Sequence, residues 1–265
     1  MSWNLIRHEL RQGRRGFVTA VAVTCILLIL MLAKADAVVG NSSMAEVLNS
    51  MPKSLLDAFG ITPESFQSYE GYFASQAYIY IVLVAGSFAA SWAITGIVKE
   101  RDRGTGEFLF SLPYRRSHVF LSKAGAHFLM ITAVYAMAGV IAVGLGKASA
   151  GLEHPMAIIQ MVAAGYLLSL AFAGSGYALT SALSSERAAG GIGIGIVIAS
   201  YLLTLMNGAG DLLKTAAKAS PFKLFDAPAI ARGADLTLTG VLVTLGIYAA
   251  GLLIGLLIIQ RRDIT

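Results

Sequence analysis

The residues that could do chemistry are few, and their spacing limits each of them. Ser175 stands in Ala173-Gly174-Ser175-Gly176, the small-residue setting of an intramembrane serine nucleophile. Such a serine needs an imidazole or a lysine to take its proton. His8, His118 and His154 fall in polar segments, and His127 lies near one end of an apolar run, where it reads as a capping or interfacial residue. No base accompanies Ser175, which is expected to pack helices. The single cysteine, Cys25, closes no internal disulfide, and one thiol with four scattered histidines builds no zinc or iron–sulfur set. Gly146-Lys147 is followed by Ala148 and lacks the upstream glycine of a phosphate-cradling ATPase loop. Gly190-Gly191-Ile192-Gly193-Ile194-Gly195 lacks the buried strand and acidic ribose partner of a dinucleotide site. The chain is expected to be no enzyme, and to hold neither cofactor nor metal of its own.

The elements that carry these residues follow from composition. Hydrophobic residues make up 56% of the 265, and charged residues 13%, about half the share usual in a soluble domain. Stretches free of Asp, Glu, Lys and Arg run over Phe17 to Ala33, Ser75 to Val98, Ala124 to Gly146, Ala157 to Leu183, Ala189 to Met206 and Thr237 to Ile259. A helix needs about 20 residues to cross a hydrocarbon core of about 30 Å, so the expected fold is an all-α integral membrane protein of six transmembrane helices. Without a repeat or a dividing linker, residues 1–265 read as one domain. The alternate segments 1–16, 99–123, 184–188 and 260–265 hold thirteen basic and six acidic residues, against seven and nine on the other side. The positive-inside rule then makes both termini cytoplasmic and places 34–74, 147–156 and 207–236 outside. The net charge of +5 is thereby explained by orientation, and nucleic acid is not an expected partner.

The flanks add detail. Ala35-Asp36-Ala37 has the form of a signal-peptide cleavage site, but the leading sixteen residues contain Glu9 and are expected to persist. They put Trp3, Ile6 and Leu10 on one helical face with Arg7 and Arg11 at its border, the pattern of a helix lying on the membrane surface. Short amphipathic helices are expected in 44–57 and around Pro221 and Pro228. Gly191, Gly195 and Ala199 form a four-residue small stripe on span five, and Gly251 with Gly255 another on span six, both suited to close helix packing. Because the spans carry no ionisable charge, a substrate path would use uncharged polar groups: Ser87, Ser91, Thr95, Thr132, Tyr135, Tyr177, Ser200 and Thr204. Each of these could equally bond its own helix backbone.

The loop 99–123 is the most informative segment. Thr105 can cap a short helix, Glu107 suits its positive end, and Pro113 stops it after Leu112. Phe108, Leu109, Phe110 and Leu112 make that helix apolar nearly all round, so it must bury itself in lipid or in a protein groove. The order Glu100-Arg101-x-x-Gly104-Thr105-x-Glu107-x-Leu109, then Pro113, Arg116 and Lys123 with no gap, resembles the loop after span two in membrane permease subunits of ATP-binding-cassette (ABC) exporters whose ATPase is a separate chain. The six-span layout, the surface helix, a re-entrant segment before span six and the closing Arg261-Arg262-Asp263-Ile264 are similar to that family too.

The resemblance implies a coupling helix around Gly106 to Leu112, seated in a cleft of the ATPase through Phe108, Leu109 and Phe110, with Arg115 and Arg116 as polar anchors. In line with the resemblance, the residues themselves suit a local Glu100–Arg101 ion pair that keeps the end of span two attached to the loop. The resemblance also implies two permease chains, identical or paralogous, and two ATPase chains that bind ATP and Mg, with the substrate path between the permeases in a cell (inner) membrane. The alternatives are an ATPase anchor used for sensing and an ATPase-independent secondary carrier or channel.

Overall fold

Six long helices carry most of the apolar sequence, and their limits in the computed structural model follow caps and buried charges as well as hydrophobicity. The structure describes residues 3–41, 46–47, 50–52, 63–102, 115–148, 151–180, 183, 185–205 and 220–261, with backbone alone at 101 and 261. Among these residues there is no strand. A first helix α1, Trp3–Gln12, leads through Gly13 into α2, Arg14–Leu32. Then come α3, Tyr78–Asp102; α4, Arg116–Ala148; α5, Pro155–Leu179; α6, Glu186–Leu205; and α7, Leu238–Arg261. The last six, with the short turns that extend α2 and α3, are long and apolar enough to cross a membrane. Most of the expected helix 44–57 lies outside the described residues.

Two helices begin well ahead of the charge-free stretches. Span two begins before Ser75: Ser68 Oγ accepts from Gly71 N at 3.1 Å and caps the turn Tyr69–Tyr72, which passes through a π-helical turn, Phe73–Ala77, into α3. Span three begins at Arg116, about two turns ahead of Ala124. As a result Glu70 and Lys123 are helical and buried, 1% and 2% exposed. A boundary drawn at the first charge misses them because these charges are partnered inside the bundle.

Helices α3 and α5 form the centre, in contact with each other; α6 packs on α3, α7 packs on α5, and α4 joins the pair to α2 and α1. Around them Ile26, Leu30, Val140, Leu242, Leu253 and Leu257 point outward, as a hydrocarbon solvent allows.

Close approach at the centre depends on glycine. Gly251 on α7 lies so near Gly174 on α5 that a Cβ there would fall on the Gly174 carbonyl, and Gly255 faces the Tyr177 carbonyl. Span five packs one face away from the expected stripe. Ala189, Gly193 and Val197 are buried, and a Cβ at Gly193 would stand 2.7 Å from the Ser91 backbone nitrogen. Gly191, Gly195 and Ala199 are exposed on the outer side of α6, because the contact with α3 is set by Gly193.

At the end of the bundle where span two begins, the turn before α3 clasps three other helices. Tyr72 donates to the Met31 carbonyl at 3.0 Å, and Tyr69 to the Ala142 carbonyl at 2.6 Å. Glu70 Oε1 accepts from the Glu153 and His154 amides at the start of α5, where a helix N-terminus favours negative charge. Nearby, Ser220 Oγ donates to the Ser200 carbonyl at 2.7 Å, and Asp226 Oδ1 caps the short helix Ala227–Ala231, seating Phe222, Phe225 and Ile230 in the core.

If Gly174 and Gly251 set the approach of α5 and α7, Gly251→Val destabilises the detergent-solubilised protein by at least about 1–3 kcal/mol. Gly195→Val, on an open face, leaves the melting temperature of the single chain unchanged. Thermal unfolding followed by size exclusion distinguishes the two.

Candidate functional site

The loop that the sequence marks out leaves the bundle from α3 and returns in α4, and both of its ends are held by one buried ion cluster. Glu9 is on α1, three residues after Ile6, so both project from the face packed on α4 and both are buried. Lys123 Nζ reaches Glu9 Oε1 at 2.7 Å and Glu100 Oε1 at 2.9 Å. Lys99 Nζ lies 3.5 Å from Glu9 Oε2 and donates to Gln12 Oε1 at 3.1 Å. Among the described residues, two lysines thus face two carboxylates. Gly13 completes the geometry: a side chain there would press on the Glu9 carbonyl and on Met130 of α4.

Further contacts extend the cluster. Asp102 Oδ2, at the end of α3, accepts from the Glu186 amide at the start of α6 at 2.9 Å. One turn beyond Lys123, His127 Nδ1 is 3.0 Å from the Tyr177 hydroxyl on α5. Its ring stacks on Tyr177 and fits against Gly96 of α3, where a Cβ would come within 2.7 Å of it. His127 is therefore no interfacial cap; Gly96 opens the space that takes it inside the bundle. Ser175 Oγ donates to the Ala171 carbonyl of its own helix at 3.1 Å.

Of the loop residues singled out in the sequence, Gly104, Thr105, Glu107, Phe108, Leu109, Phe110 and Pro113 lie outside the described residues. Glu100 and Arg116 are described, and Glu100 bonds Lys123 across the loop; the expected Glu100–Arg101 pair involves a side chain outside the described residues. The polar residues proposed for a substrate path fall in separate places. Ser91 donates to the Gly190 carbonyl and ties α3 to α6. Thr132 meets Tyr166, Tyr135 meets Ser169, and Tyr177 meets His127. Ser200 and Thr204 join Ser220, while Ser87 is half-buried on α3. A cavity of about 320 Å³ between Tyr78, Tyr201, Phe222 and Asp226 has only Thr204 of this set in its wall.

Sequence reasoning gave no role to Glu9, Lys99 or Glu70. Glu9 carried a signal, an acid on the buried stripe of an otherwise basic amphipathic helix. Glu70 carried none, since its partners are backbone amides more than eighty residues away.

An all-α bundle of six apolar helices, with its charges gathered at the ends, is a multi-span membrane protein. The chain belongs to the ABC-2 family of transporter proteins, whose pattern matches residues 3–263. It is therefore a membrane component of an ABC transporter, a translocation subunit and not an enzyme. A search of curated proteins finds no match.

Removing one partner of a buried ion pair leaves the other charge uncompensated, at about 3–5 kcal/mol. Lys123→Met strands two carboxylates and lowers stability by that order, read as thermal unfolding in detergent. Lys99→Met, which removes the longer contact and the more exposed side chain, has a smaller effect.

Proposed function

We propose that the chain is the permease subunit of an ABC exporter, with ATP and Mg bound by a separate ATPase chain docked on the segment 103–114. The single observation that carries this reading is the cluster Glu9–Lys123–Glu100, which ties α3 and α4, the helices that flank that segment, to each other and to α1. A helix around Gly106 to Leu112 inserts Phe108, Leu109 and Phe110 into the ATPase, while Arg115 and Arg116 anchor its rim. A push on the segment then reaches α3 and α4 together, because Lys123 and Glu100 bridge them, and reaches α1 through Glu9.

The functional unit pairs two permease chains, identical or paralogous, with two ATPase chains, and its substrate path runs between the permeases. Both termini face the cytoplasm of a cell (inner) membrane, α1 lies along that surface, and 220–231 forms the re-entrant segment before the last span. All residues belong to one permease domain. ATP binding shifts the bundle between inward-facing and outward-facing states, which requires the ATPase to contact the two differently.

Leu109→Asp puts a charge into the apolar docking surface and leaves the spans untouched. The tagged chain, solubilised in mild detergent from its native membrane, retains a nucleotide-binding subunit as wild type and loses it as Leu109→Asp, with both proteins eluting alike on size exclusion. Retention of the ATPase and of stimulated hydrolysis by the mutant rejects the docking role.

A further inference from the structure

The inner side of α1 is used by Ile6 and Glu9; its outer side carries an unused set of cations. Trp3, Arg7 and Arg11 recur at four-residue spacing, so they form one row along the helix, and all three are exposed, Trp3 by 65%. Arg14 and Arg15, also exposed, continue the row into the first turn of span one. None of the four arginines has an acidic partner among the described residues. Trp3 leaves the apolar face expected for it beside Ile6, because Ile6 turns inward with Glu9 to meet α4. An isolated indole at the head of a row of unpaired guanidinium groups, immediately before a membrane span, meets apolar chains and negative charge together only at an anionic lipid surface.

We propose that Trp3, Arg7, Arg11, Arg14 and Arg15 form a binding site for the phosphate headgroups of anionic phospholipids, with the indole set among their acyl chains. The proposal rests on α1 lying at the membrane surface. The guanidinium groups take the phosphate oxygens by paired hydrogen bonds, and their stems lie along the apolar boundary. Because Glu9 fixes the opposite side of the helix to Lys123, the row is held at one angle and the site is ordered before the lipid arrives.

The test uses the full chain in nanodiscs of phosphatidylcholine containing a minor share of phosphatidylglycerol, with bromine on the acyl chains of one lipid or the other. The difference in tryptophan quenching between wild type and Trp3→Phe isolates Trp3 from Trp92. Brominated phosphatidylglycerol quenches Trp3 beyond its share in the disc. That enrichment falls about fivefold for each arginine changed to Gln, and falls by less in Arg7→Lys with Arg11→Lys, which keep the charge and lose the paired hydrogen bonds. Quenching in proportion to lipid share, or enrichment that persists in Arg7→Gln with Arg11→Gln, overturns the proposal. Loss of the enrichment on adding soluble glycerol phosphate would instead identify a free-phosphate site and overturn it as well. No enrichment, together with loss of the co-purified ATPase from the Gln variants, would assign the row to an acidic protein surface. No enrichment with the ATPase retained rejects the lipid site and leaves the exporter reading standing.

Discussion

The ammonium of Lys123 is buried almost completely between two carboxylates that come from different helices. A lysine moved from water into such a place is unfavourable unless its charge is matched at close range. The match can form only when α1, α3 and α4 are all in position. Much of the local architecture serves this requirement: Gly13 lets α1 approach α4, Ile6 seats the helix beside Glu9, and Lys99 brings a second positive charge to Glu9. The pair thereby acts as a condition on helix assembly more than as a source of net stability.

Span two experiences comparable constraints at both ends. One end carries Lys99, Glu100 and Asp102, which reach α1, α4 and α6; the other carries Tyr69, Glu70 and Tyr72, which reach α4, α5 and α2. Between these ends it packs by small residues, with Ala89, Ala90 and Ala93 fully buried. In a membrane, apolar side chains gain little by leaving lipid for one another, so close backbone packing and polar bonds at the ends have to specify which helices are neighbours. The peripheral spans, held by fewer such bonds, present their large side chains outward.

The six spans were legible because charge is so unfavourable in hydrocarbon that its absence marks them without reference to tertiary structure. The same reasoning placed span two too short, since Glu70 is neutralised by amides that sequence cannot bring near it. Nor could it tell which face of span five packs within the chain: Gly191, Gly193 and Gly195 are equally small, and only the position of Ser91 on α3 decides that Gly193 is inside. At the candidate site, the loop between Glu100 and Lys123 stood out through its own residues, whereas the contact between those two ends depends on how α3 and α4 lie together. Glu9 belongs to neither helix, and its part required the path of α1 across α4. The hydroxyls offered for a substrate path are less legible, since most of them bond their own helix or one neighbour, as packing residues also do.

The π-helical turn Phe73–Ala77 has a consequence for how this chain can change in length. Such a turn holds one residue more than an α-helix would. Deleting any one residue within it would restore the regular hydrogen-bond ladder and look harmless in a local view. It would also rotate everything before it by about 100° relative to α3. Tyr69, Glu70 and Tyr72 would then point away from Ala142, the start of α5 and Met31 at the same moment. The extra residue is therefore a phase setting for the start of span two.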